Sequence, residues 1–173
     1  MSRSRTTGAR DDLTGEHALG DLGQIVFALL FFAVWVLDSF VMGWSTGLNQ
    51  VIPVAVRAPL GLAVQVGAGY LAVTGLSIVF GDRRDPPSVI RQGVFGVVRH
   101  PIYLSEIMLY VGCLFHSVSL AATLVAVFAA LFLHRIARHE EGLLRARFGE
   151  DYAQYMREVP MWLPHRRPRR GPR

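Results

Sequence analysis

Two short stretches of this 173-residue chain hold side chains able to do chemistry together: Arg99-His100-Pro101-Ile102-Tyr103 and Glu140-Glu141. Pro101 suits the first position of a helix, where its missing N–H would have had no intrahelical partner. The residue before a proline is driven out of the helical region, so His100 should cap that helix. The unpaired N–H groups of the first turn, with Arg99, make a local anion site. The plainer alternative is an ordinary helix start whose arginine reaches up to lipid phosphate. In the second stretch, Glu141 has Arg138 three residues before it and Arg145 four after, enough for a surface ion pair. Glu140 has only Ile136, Ala137, Leu143 and Leu144 at those spacings, so it faces solvent, a tertiary partner such as Arg99 or Arg91, or a ligand. Cation, imidazole, phenol and carboxylate together suit a zwitterionic ligand that joins an amino acid to a nucleoside. They do not suit a phosphate chain, for which there is no P-loop.

The elements that must position these groups are apolar helices. Leu22 to Trp44 and Pro59 to Phe80 are each long enough to cross about 30 Å of hydrocarbon. Residues 101–116 and 119–135 are shorter and, joined through Ser117-Val118-Ser119, read as a helical hairpin that crosses and returns. Helix formers then continue to Phe148, with Gly149 as the stop, so Leu120 to Phe148 would form one helix ~43 Å long. A hairpin turning near Ser117 brings His100 opposite His134 and sets both glutamates one to two turns beyond on the same side, so that Arg99, His100, Tyr103 and Glu140 would frame a cytosol-facing pocket. Ala63/Gly67 and Ala68/Ala72 have the spacing that lets membrane helices approach closely. Asp38 is an acid within the first apolar run, facing protein or water by default, or marking the outer boundary. A short amphipathic helix, Asp151 to Glu158, follows and ends at Pro160.

The expected fold is therefore an all-α integral membrane protein. It has four transmembrane helices, the last two forming the hairpin, and a cytosolic C-terminal helical extension. Residues 1–21 read as a disordered arm, 22–164 as the membrane domain and 165–173 as a basic disordered tail. Every basic residue is arginine, and seventeen of the eighteen fall on one side of this topology, which places both termini in the cytosol. Hydrophobic residues make up 51% of the chain beside a net charge of +5, so anionic lipid head groups, rather than nucleic acid, are the expected counter-charge. No cleavable signal is expected, because the apolar run after residue 21 is too long for one. The single cysteine, Cys113, lies in an apolar run; neither a disulfide nor a metal site is expected.

Read in order, Arg99-His100-Pro101-x-Tyr103, Gly112, Glu140-Glu141, Phe148-Gly149-x-x-Tyr152-x-x-Tyr155 and Val159-Pro160 resemble the isoprenylcysteine carboxyl methyltransferase family, which belongs with the membrane phospholipid N-methyltransferases. The resemblance covers about residues 91–164. It implies an enzyme that binds S-adenosylmethionine through Arg99, His100, Pro101, Tyr103, Gly112, Glu140, Glu141, Tyr152 and Tyr155, with a lipophilic or lipidated acceptor arriving from the bilayer. Carboxyl O-methylation of an isoprenylcysteine-type acceptor is the first implication. Lipid-amine N- or thiol S-methylation and a non-catalytic lipid-binding scaffold are the alternatives. The chain departs from the family pattern where relatives carry basic residues around Val-Pro, having Glu158 and Met161 there. Arg157, one place away, is then the candidate for seating an acceptor carboxylate. An amine or thiol acceptor must instead lose a proton, which makes Glu106, one turn inside the third helix, the candidate base. The plainer roles for Glu106 are a bridge to Arg135 or a watered vestibule.

Overall fold

The structure is a computed structural model that describes residues 18–81 and 86–164. Arg83, Arg84, the expected arm up to His17 and the basic tail from His165 lie outside the described residues. Among the described residues all regular structure is helical. Helix α1 spans Ala18–Val36 and runs on through a π-helical turn, Leu37–Met42. Helices α2 (Val54–Phe80), α3 (Pro101–His116), α4 (Leu120–Phe148) and α5 (Glu150–Glu158) follow. Three of these runs are long and apolar enough to cross a membrane: Gly20–Met42, Val54–Phe80 and Leu120–Phe148. The 16 residues of α3 are apolar but span only about 24 Å.

Helix α2 begins five residues earlier than the proline-based boundary, and Pro59 lies inside it. The cause is Arg57, which is buried in the extra turn. Its guanidinium donates to the carbonyls of Ile52, Phe115 and His116, so the loop before α2 and the end of α3 supply three acceptors to one cation and the turn before the proline is held helical. The small-residue stripe also differs from the expected pairs. The buried small residues of α2 are Gly61, Ala68 and Gly75, seven apart, whereas Ala63 faces outward. A Cβ on Gly61 would meet the Gly112 carbonyl at 2.8 Å, and one on Gly75 would meet Ile102 at 2.9 Å. Heptad spacing keeps one seam of α2 against α3 from Gly61 to Gly75.

Helix α1 packs on α4. A Cβ on Gly23 would collide with the Phe132 ring, the tilted rings of Phe27 and Phe132 lie 5.2 Å apart, and Phe31 is wholly buried against Tyr110 at 4.4 Å. At the end of the hairpin turn, Asp38 accepts hydrogen bonds from the Ser45 amide and hydroxyl and from the Ser119 hydroxyl. Ser119 in turn caps α4 by accepting from the Ala122 amide. The intramembrane acid is thus a latch between the end of α1 and the start of α4. Gly149, with φ +57°, stops α4 and turns the chain into α5, whose Tyr152 and Tyr155 are buried under the loop before α3.

Candidate functional site

The start of α3 forms as its sequence dictates. Pro101 occupies the first turn and His100 the cap, outside the helical region at φ −123° and ψ 64°. The guanidinium of Arg99 does not face outward. Its Nε donates to Glu141 Oε1 at 2.7 Å, its Nη1 to the carbonyls of Met156 and Val159, and its own backbone N–H to Pro160 O at 2.9 Å. Arg99 therefore pins the strap after α5 to the first turn of α3 and to the middle of α4. Glu141 is 3% exposed and also lies 3.3 Å from His100 Nε2.

This corrects the surface-pair expectation for Glu141. An arginine at i−3 or i+4 needs a wet face, and residue 141 sits on the same buried stripe as Leu133 and Ala137. The tertiary partner sought for Glu140 belongs to Glu141 instead. Glu140 stands at the edge of the buried stripe, where its Oε1 accepts from the Tyr103 hydroxyl and its Oε2 lies 3.8 Å from His100 Nδ1. His100 stacks parallel on Tyr103 with ring centroids 5.6 Å apart. The expected juxtaposition of His100 and His134 is made through a third ring: Trp162 lies 6.0 Å from one and 6.2 Å from the other, and its Nε1 donates to His134 Nδ1 at 3.1 Å. Sequence reasoning passed over Trp162; the available signal was an aromatic residue just past Val159-Pro160.

These groups face a cavity of about 450 Å³, within the range of small-molecule sites. Its polar side carries Arg99, His100, Tyr103 and Glu140. One apolar wall comes from Leu76, Val79 and Phe80 at the end of α2, and another from Leu144 and Phe148 of α4 with Phe95 of the loop. Asp21 and Gln24 of α1 complete the rim. Tyr152 and Tyr155 line the base, where burial pushes both phenols well above the usual range and keeps them protonated. Tyr155 donates to Phe95 O at 2.7 Å, so it also fixes the short turn Gly93–Gly96.

Of the eleven residues singled out by sequence, the cavity gathers Arg99, His100, Pro101, Tyr103, Glu140, Tyr152 and Tyr155. It does not gather the rest. Glu141 lies behind Arg99. Gly112 is at the seam between α2 and α3, where a Cβ would stand 2.5 Å from Gln65 Cγ. Glu106 accepts from the Tyr110 hydroxyl one turn along its own helix and makes no bridge to Arg135. Arg157 is exposed and paired with Glu150, whose carboxyl it holds below the usual range.

No group of three or more metal-ligating side chains occurs among the described residues. No curated protein and no solved structure matches the chain. Comparison with protein families matches residues 62–151, just over half the chain, to phospholipid methyltransferase. That segment carries most of α2, all of α3 and α4, and with them the Tyr103–Glu140 edge of the cavity. An apolar helical chain with a polar, ligand-sized cavity at its helix ends is thereby placed: it belongs to the phospholipid methyltransferase family.

Proposed function

We propose that the protein transfers a methyl group from S-adenosylmethionine to the amine of a membrane lipid at the cytosolic face. The reading includes four spans, with α3 and α4 as a hairpin and both termini cytosolic. The cavity fits such a cofactor in size and in its donor set. Glu140 and Tyr103 would hold the ammonium or the ribose hydroxyls, while Phe95, Leu144 and Phe148 offer flat apolar contact for the base. Arg99 would meet the carboxylate end, although Glu141 already offsets much of its charge. When bound, that cofactor supplies a methyl group already activated by its sulfonium charge. The protein's own work is then to align an acceptor, to exclude water and to take a proton.

The observation that carries the choice of acceptor is the charge of the cavity. Carboxyl O-methylation, the first implication of the family resemblance, calls for a cation to seat the acceptor carboxylate. Arg157 is paired with Glu150, and Arg91 with Asp151 and Glu158. Arg99 is held by Glu141 and two carbonyls, and in this reading what charge it has left is taken by the cofactor's carboxylate and not by an acceptor. The acids that reach the cavity are Asp21 and Glu140, and carboxylates favour an ammonium. Glu106, which holds Tyr110 and does not line the cavity, is not placed to take the acceptor's proton.

The test is a labelled-methyl transfer screen of the full chain in lipid vesicles over phosphatidylethanolamine, thiols and isoprenylcysteines. Transfer to the amine lipid is expected. Preferential transfer to isoprenylcysteine would overturn the amine reading, and failure of the purified protein to bind S-adenosylhomocysteine would return it to a lipid-binding scaffold. For topology, cysteines placed at Ser2 and Gly171 should react with an impermeant reagent from the cytosolic side and one at Asn49 from the other.

A further inference from the structure

We propose that Asp21, on a helix outside the family-matched segment, selects the acceptor by charge and is the specificity-determining residue of this cavity. The inference rests on the lipid-amine reading above and names the residue that would enforce it.

The placement of Asp21 is fixed from a distance along α1. Gly23 lets the Phe132 ring of α4 press against the α1 backbone, and Phe27 and Phe31 continue that contact toward Tyr110. A helix packed through residues 23, 27 and 31 cannot turn about its axis, so its phase is set. Asp21 and Gln24, three residues apart and on one face, then fall on the cavity rim. Asp21 and Tyr103 line the same cavity. On the neighbouring side stand Leu76, Val79 and Phe80, of which Leu76 and Phe80 are exposed outward on α2. A lipophilic amine laid against that apolar wall brings its ammonium beside Asp21.

A more ordinary role for Asp21 exists, since an acid in the first turn of a helix is favoured by the helix dipole. That role would be indifferent to the charge of a ligand, which makes the two separable. The full chain in maltoside micelles would be titrated with dodecylamine, dodecanol and dodecanoate, and separately with S-adenosylhomocysteine. Wild type should prefer the ammonium amphiphile over the neutral one. Asp21→Asn should reduce that preference about ten-fold and Asp21→Lys should shift it toward dodecanoate. Asp21→Glu should restore it, and S-adenosylhomocysteine affinity should stay within about two-fold in all three. An Asp21→Asn protein that still prefers the ammonium would overturn the inference, as would a wild type with no preference. Loss of S-adenosylhomocysteine binding in wild type would instead refute the proposed function, while the amphiphile titrations still judge Asp21.

Discussion

Neutralising either of two adjacent glutamates should produce opposite phenotypes. Glu141 is 3% exposed and faces an Arg99 side chain that is 10% exposed, with a single oxygen shared between Arg99 Nε and His100 Nε2. Its other oxygen, Oε2, is buried without a hydrogen-bond partner among the described residues. Glu141→Gln leaves Arg99 buried without a counter-charge and places an amide donor or acceptor where none is matched. Breaking a buried ion pair from one side costs about 3–5 kcal/mol. Because the glutamine oxygen still accepts from Arg99, the lower end applies, about 3 kcal/mol, or roughly 6–12 °C in melting temperature for a chain of this size. Glu140→Gln keeps an acceptor for Tyr103 at a half-open rim and should cost about 1 kcal/mol or less in stability. It removes the carboxylate that faces the ligand, so S-adenosylhomocysteine should bind roughly ten- to a hundred-fold more weakly. Thermal melting in detergent and isothermal titration on both variants decide the matter. A Glu141→Gln protein that melts like wild type, or a binding loss confined to it, would refute the division of labour between ion-pair staple and ligand contact.

Three further outcomes follow from the same geometry. Arg157→Ala should leave acceptor KM and S-adenosylhomocysteine affinity within about two-fold of wild type in transfer and titration assays, because an exposed ion pair contributes little. Gly112→Val should lower the yield of folded protein, read by monodispersity in detergent, since even its Cβ would lie 2.5 Å from Gln65; a folded variant with weakened cofactor binding alone would return Gly112 to the site. Tyr152 and Tyr155 are held protonated by burial, so their folded pKa values lie above the unfolded value of about 10. Their contribution is therefore complete below about pH 10 and is lost as the pH rises beyond it, and alkaline unfolding should come earlier in wild type than in Tyr152→Phe/Tyr155→Phe.

Much of this was legible because the signals are local. The helix start at Pro101, the hairpin through Ser117–Ser119 and the stop at Gly149 each follow from one residue's backbone chemistry, and the resemblance that runs from Arg99 to Pro160 points to the family that residues 62–151 match. What was not legible depends on burial across the chain. Local spacing offered Glu141 two arginines, but its position on the inner stripe of α4 gave it a third, 42 residues away. Proline rules started α2 at residue 59, whereas Arg57, in the turn before it, found carbonyls at Ile52 and at the end of α3. Asp21 read as one charge among several in a polar arm; only the packing of Gly23 on Phe132 shows which way it faces.

The two ends of the molecule are built unequally. At one end Asp38, Ser45, Ser119, Asn49 and Arg57 bolt the loop after α1 and the start of α2 to the turn between α3 and α4. At the other, α1 keeps to α4 and α2 keeps to α3, and the cavity occupies the seam between the pairs. By lever geometry such a body is expected to work like a clothes-peg, a small change of angle at the bolted end giving its largest displacement at the cavity mouth. Loosening the fulcrum, by Asp38→Asn for instance, would alter the gape of a site about a membrane's thickness away without touching a single residue that lines it.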